Sequence, residues 1–186
     1  MSKKDNNKYT TGKITLNLTM ACFACSLIIA LVYFITAPVA AKNAKILKNE
    51  SMKALIQDAT DFKAIKGESE MYEALKDNKT IGYVTQSETK GYGGTIELLV
   101  AVDTEGKVIG YNILSHNETP GLGDKTTKSP FKDQFKGKDI KHLVVTKDPS
   151  DKDDVQAITG ATISSKAVTK GVKEAVTQVN EYIGGK

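Results

Sequence analysis

The chain has 186 residues, a length that suits one ordinary domain and a short additional element. Hydrophobic residues make up 40% of it and charged residues 26%, which excludes the composition of a disordered chain. Arginine is absent, so all 26 basic side chains are lysines. The net charge of +4 is concentrated in residues 1–13, which hold four lysines and one aspartate. No basic face remains for DNA or RNA, and we expect no nucleic-acid partner.

An uncharged apolar segment predicts a membrane helix near the N-terminus. Residues 14–41 contain no charged side chain, and a spanning helix needs about 20 apolar residues. The alternative is a cleaved secretory signal, with small residues at 38–41 as the cleavage site, but the apolar core of a signal is only about 7–15 residues long. Lysines flank both ends, so charge alone does not fix the orientation. We predict a cytoplasmic tail at 1–13, a transmembrane helix at 14–41, and an extracytoplasmic domain.

The cysteines both lie inside this apolar segment. Cys22 and Cys25 are three residues apart, a spacing that places them on one helix face. They are either small apolar residues facing lipid or another helix, or a redox or metal-binding pair at membrane depth. The domain after residue 41 has no cysteine, so it contains no disulfide and no iron–sulfur cluster bound by its own thiolates.

The residues that follow predict a connecting helix and then an α+β domain. Apolar residues at helical spacing among charged ones predict a connecting helix at 42–66. From residue 67 the pattern alternates, which favours strands. Four strands are predicted as two hairpins, at 71–75 with 80–87 and at 95–102 with 107–114.

The second half of the domain predicts shorter elements and a terminal helix. We expect a short helix at 129–135, a strand at 140–146, and a helix that begins near Ser164 and ends at Gly184 and Gly185. The apolar residues of that last helix fall on one stripe. The predicted fold of residues 67–186 is therefore an antiparallel sheet with packed helices, of the α+β class.

A segment with several hydroxyl groups precedes the last predicted helix. In residues 157–165 Gly160 permits close backbone approach, and threonines and serines crowd a helix start, where free N–H groups favour an anion. A phosphate bound here would need no arginine. The alternative is an ordinary N-cap and tight turn.

Two glycine-containing loops are further candidates for a binding site. Residues 115–124 follow a strand and contain two glycines, a proline, His116 and Glu118, which predicts a shaped loop. Residues 90–94 are dense in glycine, which suggests a backbone pressed against a flat group with Tyr92 stacked on it. The alternatives are a structural turn with a solvated histidine and a flexible entry to a hairpin.

The hydroxyl-rich segment resembles a known modification motif. Thr159-Gly-Ala-Thr162, followed by Ile163-Ser164-Ser165, is similar to the flavinylation motif of the FMN-binding domain family. In that family a flavin transferase esterifies the phosphate of FMN to the last threonine, which corresponds to Thr162. Residues 116–123 and 91–100 resemble the same family. Gln156 stands where the motif usually has an acidic residue.

The order and spacing of these segments resemble the G subunit of the Rnf complex, the ion-translocating electron-transport complex between ferredoxin and NAD. The resemblance implies a redox subunit rather than a stand-alone enzyme, covalently bound FMN, other membrane subunits of an Rnf-type complex as partners, and a flavin transferase for maturation. It implies no catalytic residue and no metal. The site residues that it implies, with Thr162 as the covalent attachment point, are Thr159, Gly160, Ala161, Thr162, Ser164, Ser165, His116, Glu118, Thr119, Pro120, Gly121, Leu122, Gly123 and Tyr92.

Two alternative functions remain open from the sequence. The first is the C subunit of the sodium-translocating NADH:quinone reductase, which resembles this chain in its modification motif but is longer. The second is an extracytoplasmic binding module without a redox role.

Overall fold

The computed structural model of the protein describes residues 11–65 and 70–185. The chain divides into two compact units between Ile46 and Leu47. The first ten residues of the predicted tail lie outside the described part, and so does the predicted domain boundary at residues 66 and 67.

The described residues of the first unit, 11–46, are the exposed part of a long helix. Helix α1 spans Thr11–Leu55, so residues 11–13 of the predicted tail are helical. The most apolar stretch of α1 is not buried against any described residue, and α1 is the one helix of the described chain that is long and apolar enough to cross a membrane. Pro38 lies inside α1, which membrane helices tolerate. The predicted membrane segment is therefore helical.

The second unit begins with the last turns of α1, which pack on a sheet. Met52 and Ile56 are buried there. Lys48 Nζ donates to Gln86 Oε1 over 2.9 Å and forms an ion pair with Glu70 over 3.4 Å. The sheet residues in the same apolar cluster are Ala74, Val84, Leu99 and Ala101.

The predicted connecting helix was wrong in its second half. The helix ends at Leu55, and strand β1 spans Asp61–Ala64 at the edge of the sheet. Phe62 and Ile65, which are three residues apart, resemble a helical repeat in the sequence. In the structure they pack against the apolar clusters on the two opposite faces of the sheet, as residues an odd number apart do in extended chain.

The sheet is a five-stranded antiparallel meander in the order β1-β2-β3-β4-β5. The hairpin between β2 and β3 turns at Asp77 and Asn78, whose φ angles are 50° and 60°, as a tight two-residue turn requires. This confirms the predicted antiparallel sheet. The other strands are β2 at Met71–Lys76, β3 at Lys79–Lys90, β4 at Thr95–Val102 and β5 at Val108–Ser115.

Helix α2, Thr162–Gly184, covers the second face of the sheet. Its apolar stripe, which includes Val168, Val172 and Val176, is fully buried with the sheet residues Leu98 and Val100. Gly171 permits a close approach, because a Cβ there would lie 2.9 Å from Leu98 Cδ2. The sheet is therefore covered by helix on both faces, and α2 is held in a fixed register against it.

The connection from β5 to α2 differs from the sequence prediction. It contains 3₁₀ turns at Gly123–Thr127, Lys132–Phe135 and Ile140–His142. The predicted strand at 140–146 was wrong in its first half, because the Asp139 carboxylate accepts N–H bonds from Lys141 and His142 and starts a turn. Only Val145–Thr146 is a strand, β6, and it pairs in parallel with β7, Val155–Gln156.

Candidate flavin site

The topology brings the three candidate segments to one end of the sheet. Residues 91–94 join β3 to β4, and β5 ends at Ser115, which is paired with Glu97 near the start of β4. Helix α2 begins beside them. Together they line a cleft of about 560 Å³, a size typical of ligand sites. The lining residues are Tyr92, Thr119, Leu122, Gly123, Gly160, Ala161, Thr162, Ile163 and Ser164.

The start of α2 is open toward the cleft. Thr162 is the first residue of α2, and the N-cap residue Ala161 makes no side-chain cap. The Ser165 N–H donates to the Ala161 carbonyl over 2.9 Å, so the N–H groups of residues 162–164 precede the first intrahelical bond. The uncapped helix start and its dipole favour a bound anion here.

Two residues of the predicted motif, Thr159 and Ser165, do not line the cleft, and Ser165 instead supports the turn. Ser165 is buried, its Oγ accepts the Ile158 N–H over 3.0 Å, and it donates to the Ala161 carbonyl over 2.9 Å. Thr159 is exposed outside the cleft. Gly160 has a φ of +81°, a conformation that glycine adopts without strain.

The loop after β5 contributes only part of its predicted residues to the cleft. Thr119, Leu122 and Gly123 line it, whereas His116, Glu118 and Pro120 do not. His116 Nδ1 accepts the Glu118 N–H over 3.1 Å, so the imidazole shapes its own loop. Gly121 instead lines a neighbouring cavity of about 620 Å³ together with Phe131 and Ile158.

Glu118 connects all three candidate segments, although it does not line the cleft itself. Its side chain is 5% exposed. Oε1 accepts the Gly93 N–H over 2.9 Å, and Oε2 accepts the hydroxyl of Ser164 in a short hydrogen bond. The 90–94 loop is thus tied to the start of α2 through a residue of the third segment.

The glycines of the 90–94 loop pack against protein. A Cβ at Gly93 would lie 1.9 Å from the Asn117 carbonyl oxygen, and a Cβ at Gly91 would lie 2.3 Å from Glu118 Oε1. The suggestion that this backbone presses on a flat group is therefore not needed to explain its glycines. Tyr92 is 71% exposed at the edge of the cleft.

Two buried residues outside the cleft, Thr126 and Tyr111, hold Gly123 in place through successive hydrogen bonds. The Thr126 hydroxyl donates to the Gly123 carbonyl over 2.7 Å, and the buried Tyr111 hydroxyl donates to the Thr126 carbonyl. Burial raises the pKa of Tyr111 well above its ordinary value, so this donor keeps its proton. The hydrogen bond from Lys128, 3.0 Å long, lowers the pKa of the neighbouring Asp124 carboxyl.

Gln156 has a role that an acidic residue would not fill. Its side-chain amide donates to the carbonyls of Asp148 and Asp151 over 2.7 Å and 2.6 Å. A carboxylate has no proton to donate to these carbonyls. The amide therefore closes the acidic loop, residues 148–154, just upstream of the Thr159–Thr162 motif.

Sequence reasoning missed Ile163 as a lining residue. Ile163 is 56% exposed beside Thr162. A large apolar residue that lies off the buried stripe at a helix start was the available signal. In the part of the chain that the structure describes, no group of three or more His, Cys, Asp or Glu residues is placed to hold a metal.

An uncapped helix start that opens into a cleft with an apolar rim is the arrangement of a domain that binds a phosphate-bearing ligand. The FMN-binding domain family matches residues 91–177, which include all three segments. Over 183 residues the chain is 54% identical to the G subunit of the proton-translocating ferredoxin:NAD(+) oxidoreductase complex of Clostridium ljungdahlii, covering 98% of this chain and 99% of that protein. The chain belongs to the family of Rnf-complex G subunits, and it is an FMN-binding electron-transfer protein of the membrane.

Other relatives match a smaller part. The G subunit of the Na(+)-translocating ferredoxin:NAD(+) oxidoreductase complex of Acetobacterium woodii is 40% identical over 58% of this chain. The G subunit of the ion-translocating oxidoreductase complex of Escherichia coli is 42% identical over 59%. This chain spans 53% and 56% of those two proteins.

Solved structures share the fold. The C subunit of the Na(+)-translocating NADH-quinone reductase of Parabacteroides distasonis superposes with a TM-score of 0.51 at 26% identity over 61% of each chain. NqrC of Shewanella oneidensis superposes with a TM-score of 0.53 at 21% identity, over 70% of this chain and 74% of that one. The predicted α+β fold is confirmed.

Proposed function

We propose that this protein relays electrons through FMN bound covalently to Thr162, within a membrane complex that acts between ferredoxin and NAD. The observation that carries the assignment is the position of Thr162, which is the first residue of α2 and lines the cleft at an uncapped helix start. The names of the relatives support the ferredoxin and NAD partners. They also support the other subunits of the complex as partners.

The residues of the cleft fit a flavin mononucleotide. The N–H groups at the start of α2 suit a phosphate, and no arginine is required. Tyr92, Leu122 and Ile163 are 71%, 43% and 56% exposed around the cleft and provide apolar surface for a flat ring. When bound, FMN supplies the transfer of one or two electrons, while the protein supplies position and electrostatics.

Attachment uses the hydroxyl of Thr162 as a nucleophile. On a flavin transferase, a new bond forms between Thr162 Oγ1 and the flavin phosphorus of a flavin dinucleotide. The phosphoanhydride bond breaks, the nucleoside monophosphate leaves, and the hydroxyl proton passes to a base of the transferase. The start of α2 then stabilises the charge of the resulting diester.

An ester link retains the flavin on a domain that lies outside the cytoplasm. We propose that the second unit lies on that side of the membrane and that α1 crosses it once. A tethered flavin is not lost by diffusion where no cytoplasmic flavin pool replaces it. The chain's cysteines are confined to α1, so the domain has no thiol that an oxidising compartment would affect.

Covalent attachment is tested by fluorescence and mass of denatured protein. Full-length protein co-produced with its flavin transferase should fluoresce on a denaturing gel and gain the mass of FMN less one water. Thr162→Ala should abolish both signals. Thr162→Ser keeps a hydroxyl and should retain a measurable part of them.

The matched control is Thr177→Ala, because Thr177 lies on the same helix, away from the cleft, and its hydroxyl donates to the Lys173 carbonyl. This variant should be flavinylated like the wild type. A fluorescent Thr162→Ala band would disprove attachment at Thr162, and a wild-type chain without flavin in native membranes would favour the non-redox binding module.

The orientation is tested with protease added to cells whose wall has been removed. The domain should be degraded while the membrane stays intact, and a cytoplasmic marker protein should survive. Protection of the domain under conditions that cut it after detergent lysis would reverse the proposed orientation. Co-purification with components of a quinone reductase, in place of Rnf-type components, would favour the quinone-reductase alternative.

A further inference from the structure

We propose that Glu118 is the positioning residue of the flavin site, a role that rests on the proposed attachment of FMN at Thr162. Its carboxylate accepts hydrogen bonds from the 90–94 loop and from the first turn of α2. It thereby ties the loop that carries Tyr92 to the helix start that carries Thr162, and both residues line the cleft while Glu118 does not.

The carboxylate satisfies two buried partners, one on each oxygen. The Gly93 N–H is a donor only, and it points to Oε1. The Ser164 hydroxyl is directed to Oε2. Ser164 is 3% exposed and Glu118 is 5% exposed, so water has little access to replace either bond. A side chain that offers neither two acceptors, as glutamate does, nor one acceptor and one donor, as glutamine does, would leave buried polar groups unpaired.

The surrounding backbone is shaped around this one side chain. A Cβ at Gly91 would lie 2.3 Å from Glu118 Oε1, and a Cβ at Gly123 would lie 2.7 Å from both Glu118 Oε2 and Ser164 Oγ. Glycines from two different segments therefore enclose the carboxylate. Such enclosure is expected of a structural connection.

The arrangement distinguishes positioning from acid–base or charge effects. Glu118 does not line the cleft, and both of its oxygens accept from protein donors. A glutamine at this position keeps the geometry: its amide oxygen accepts the Gly93 N–H, and its NH₂ group donates to Ser164 Oγ, which also accepts. Glu118→Gln thus removes the charge and preserves both connections, whereas Glu118→Ala removes both.

The test uses full-length protein co-produced with the flavin transferase. Three quantities are measured: the flavinylated fraction by intact mass, the visible circular dichroism of the attached flavin, and the hydrogen exchange of peptides containing Gly93 and Ser164. We expect Glu118→Gln to keep at least half of the wild-type flavinylation with an unchanged dichroism spectrum. Glu118→Ala should lose flavinylation about tenfold and exchange faster at Gly93.

Two further variants keep the test interpretable. Ser164→Ala removes one connection and should give an intermediate loss, so it reports on the proposal even when Glu118→Ala fails to fold. Glu88→Ala, which removes an exposed carboxylate of β3, should match the wild type.

The proposal is overturned when Glu118→Ala has wild-type flavinylation, dichroism and exchange. It is also overturned when Glu118→Gln is as defective as Glu118→Ala, because charge would then be the operative property. A wild-type chain without flavin on Thr162 would refute the proposed function alone. In that case faster exchange at Gly93 in Glu118→Ala would still support the connection between the loops.

Discussion

The two loops on either side of the cleft both contain glycines, and they need them for different reasons. In the 90–94 loop Gly93 is needed for space, because any Cβ would overlap the Asn117 carbonyl. In the 119–123 loop Gly121 has a φ of +77°, and a Cβ there would have no described atom within 4 Å. The first glycine is fixed by tertiary packing and the second by local backbone conformation. Substitutions at the two positions should therefore fail in different ways.

The largest effect is expected from Gly93→Ala. The added methyl would lie 1.9 Å from a backbone oxygen, so the loop must move, and we expect the Gly93 N–H to lose its bond to Glu118. Overpacking typically costs about 1–3 kcal/mol and occasionally more, and we expect the upper end, measured as the free energy of unfolding by denaturant in detergent. The flavinylated fraction should fall with it.

The control for that variant is Gly184→Ala, at a helix end with open space around the Cβ. It should be neutral or slightly stabilising, by up to about 1 kcal/mol. Equal losses from the two variants would show that packing against Asn117 is not what Gly93 provides.

A smaller effect is expected from Gly121→Val. A β-branched residue at positive φ is strained by about 1–2 kcal/mol, although its Cβ would have no described atom within 4 Å. Gly121→Asn should be milder, because asparagine tolerates this conformation. Unfolding measurements on the pair separate strain from steric exclusion of the flavin. Equal flavin loss in both variants at unchanged stability would favour exclusion.

His116→Ala should have a modest effect. The imidazole accepts one backbone hydrogen bond, and its loss should cost about 0.5–1.5 kcal/mol. Electron flow between ferredoxin and NAD should persist in membranes, because the proposed electron relay requires no general base at this position. A variant with full flavin content and no electron transfer would show that His116 has a direct redox role.

The smallest effect is expected in the acidic loop, away from both glycine loops. The Ser150 hydroxyl, followed by its N–H, lowers the pKa of Asp148 from its ordinary 3.8. A folded-state pKa below the unfolded one stabilises the protein above pH 3.8, and this stabilisation disappears as the pH falls through the folded pKa. Carboxyl titration by NMR should show the Asp148 pKa moving toward its ordinary value in Ser150→Ala, which removes the hydroxyl but keeps the backbone N–H bond, with flavinylation unchanged. An unshifted Asp148 in the wild type would contradict this.

The sequence predicted the sheet because its strands alternate regularly and their turns are chemically distinct. Residues 95–102 coincide with β4, and the turn at Asp77 and Asn78 lies where it was expected. The sequence also singled out Thr162 through a local motif at a helix start. The spacing of Phe62 and Ile65 led to the wrong prediction of a helix. Strand β1 forms by pairing with β2, and a short segment of sequence does not show which strand it pairs with.

The sequence by itself determined the apolar helix, the sheet and the threonine motif at the start of α2, since each depends on a pattern within a few neighbouring residues. Only the tertiary structure decided which groups Glu118 connects. Its two partners, Gly93 and Ser164, are 25 and 46 residues away in the chain, and their proximity results from the folding of α2 across the sheet. Hydrogen bonds of this kind are set by packing, so a single sequence shows a glutamate in a loop and the fold shows what it connects.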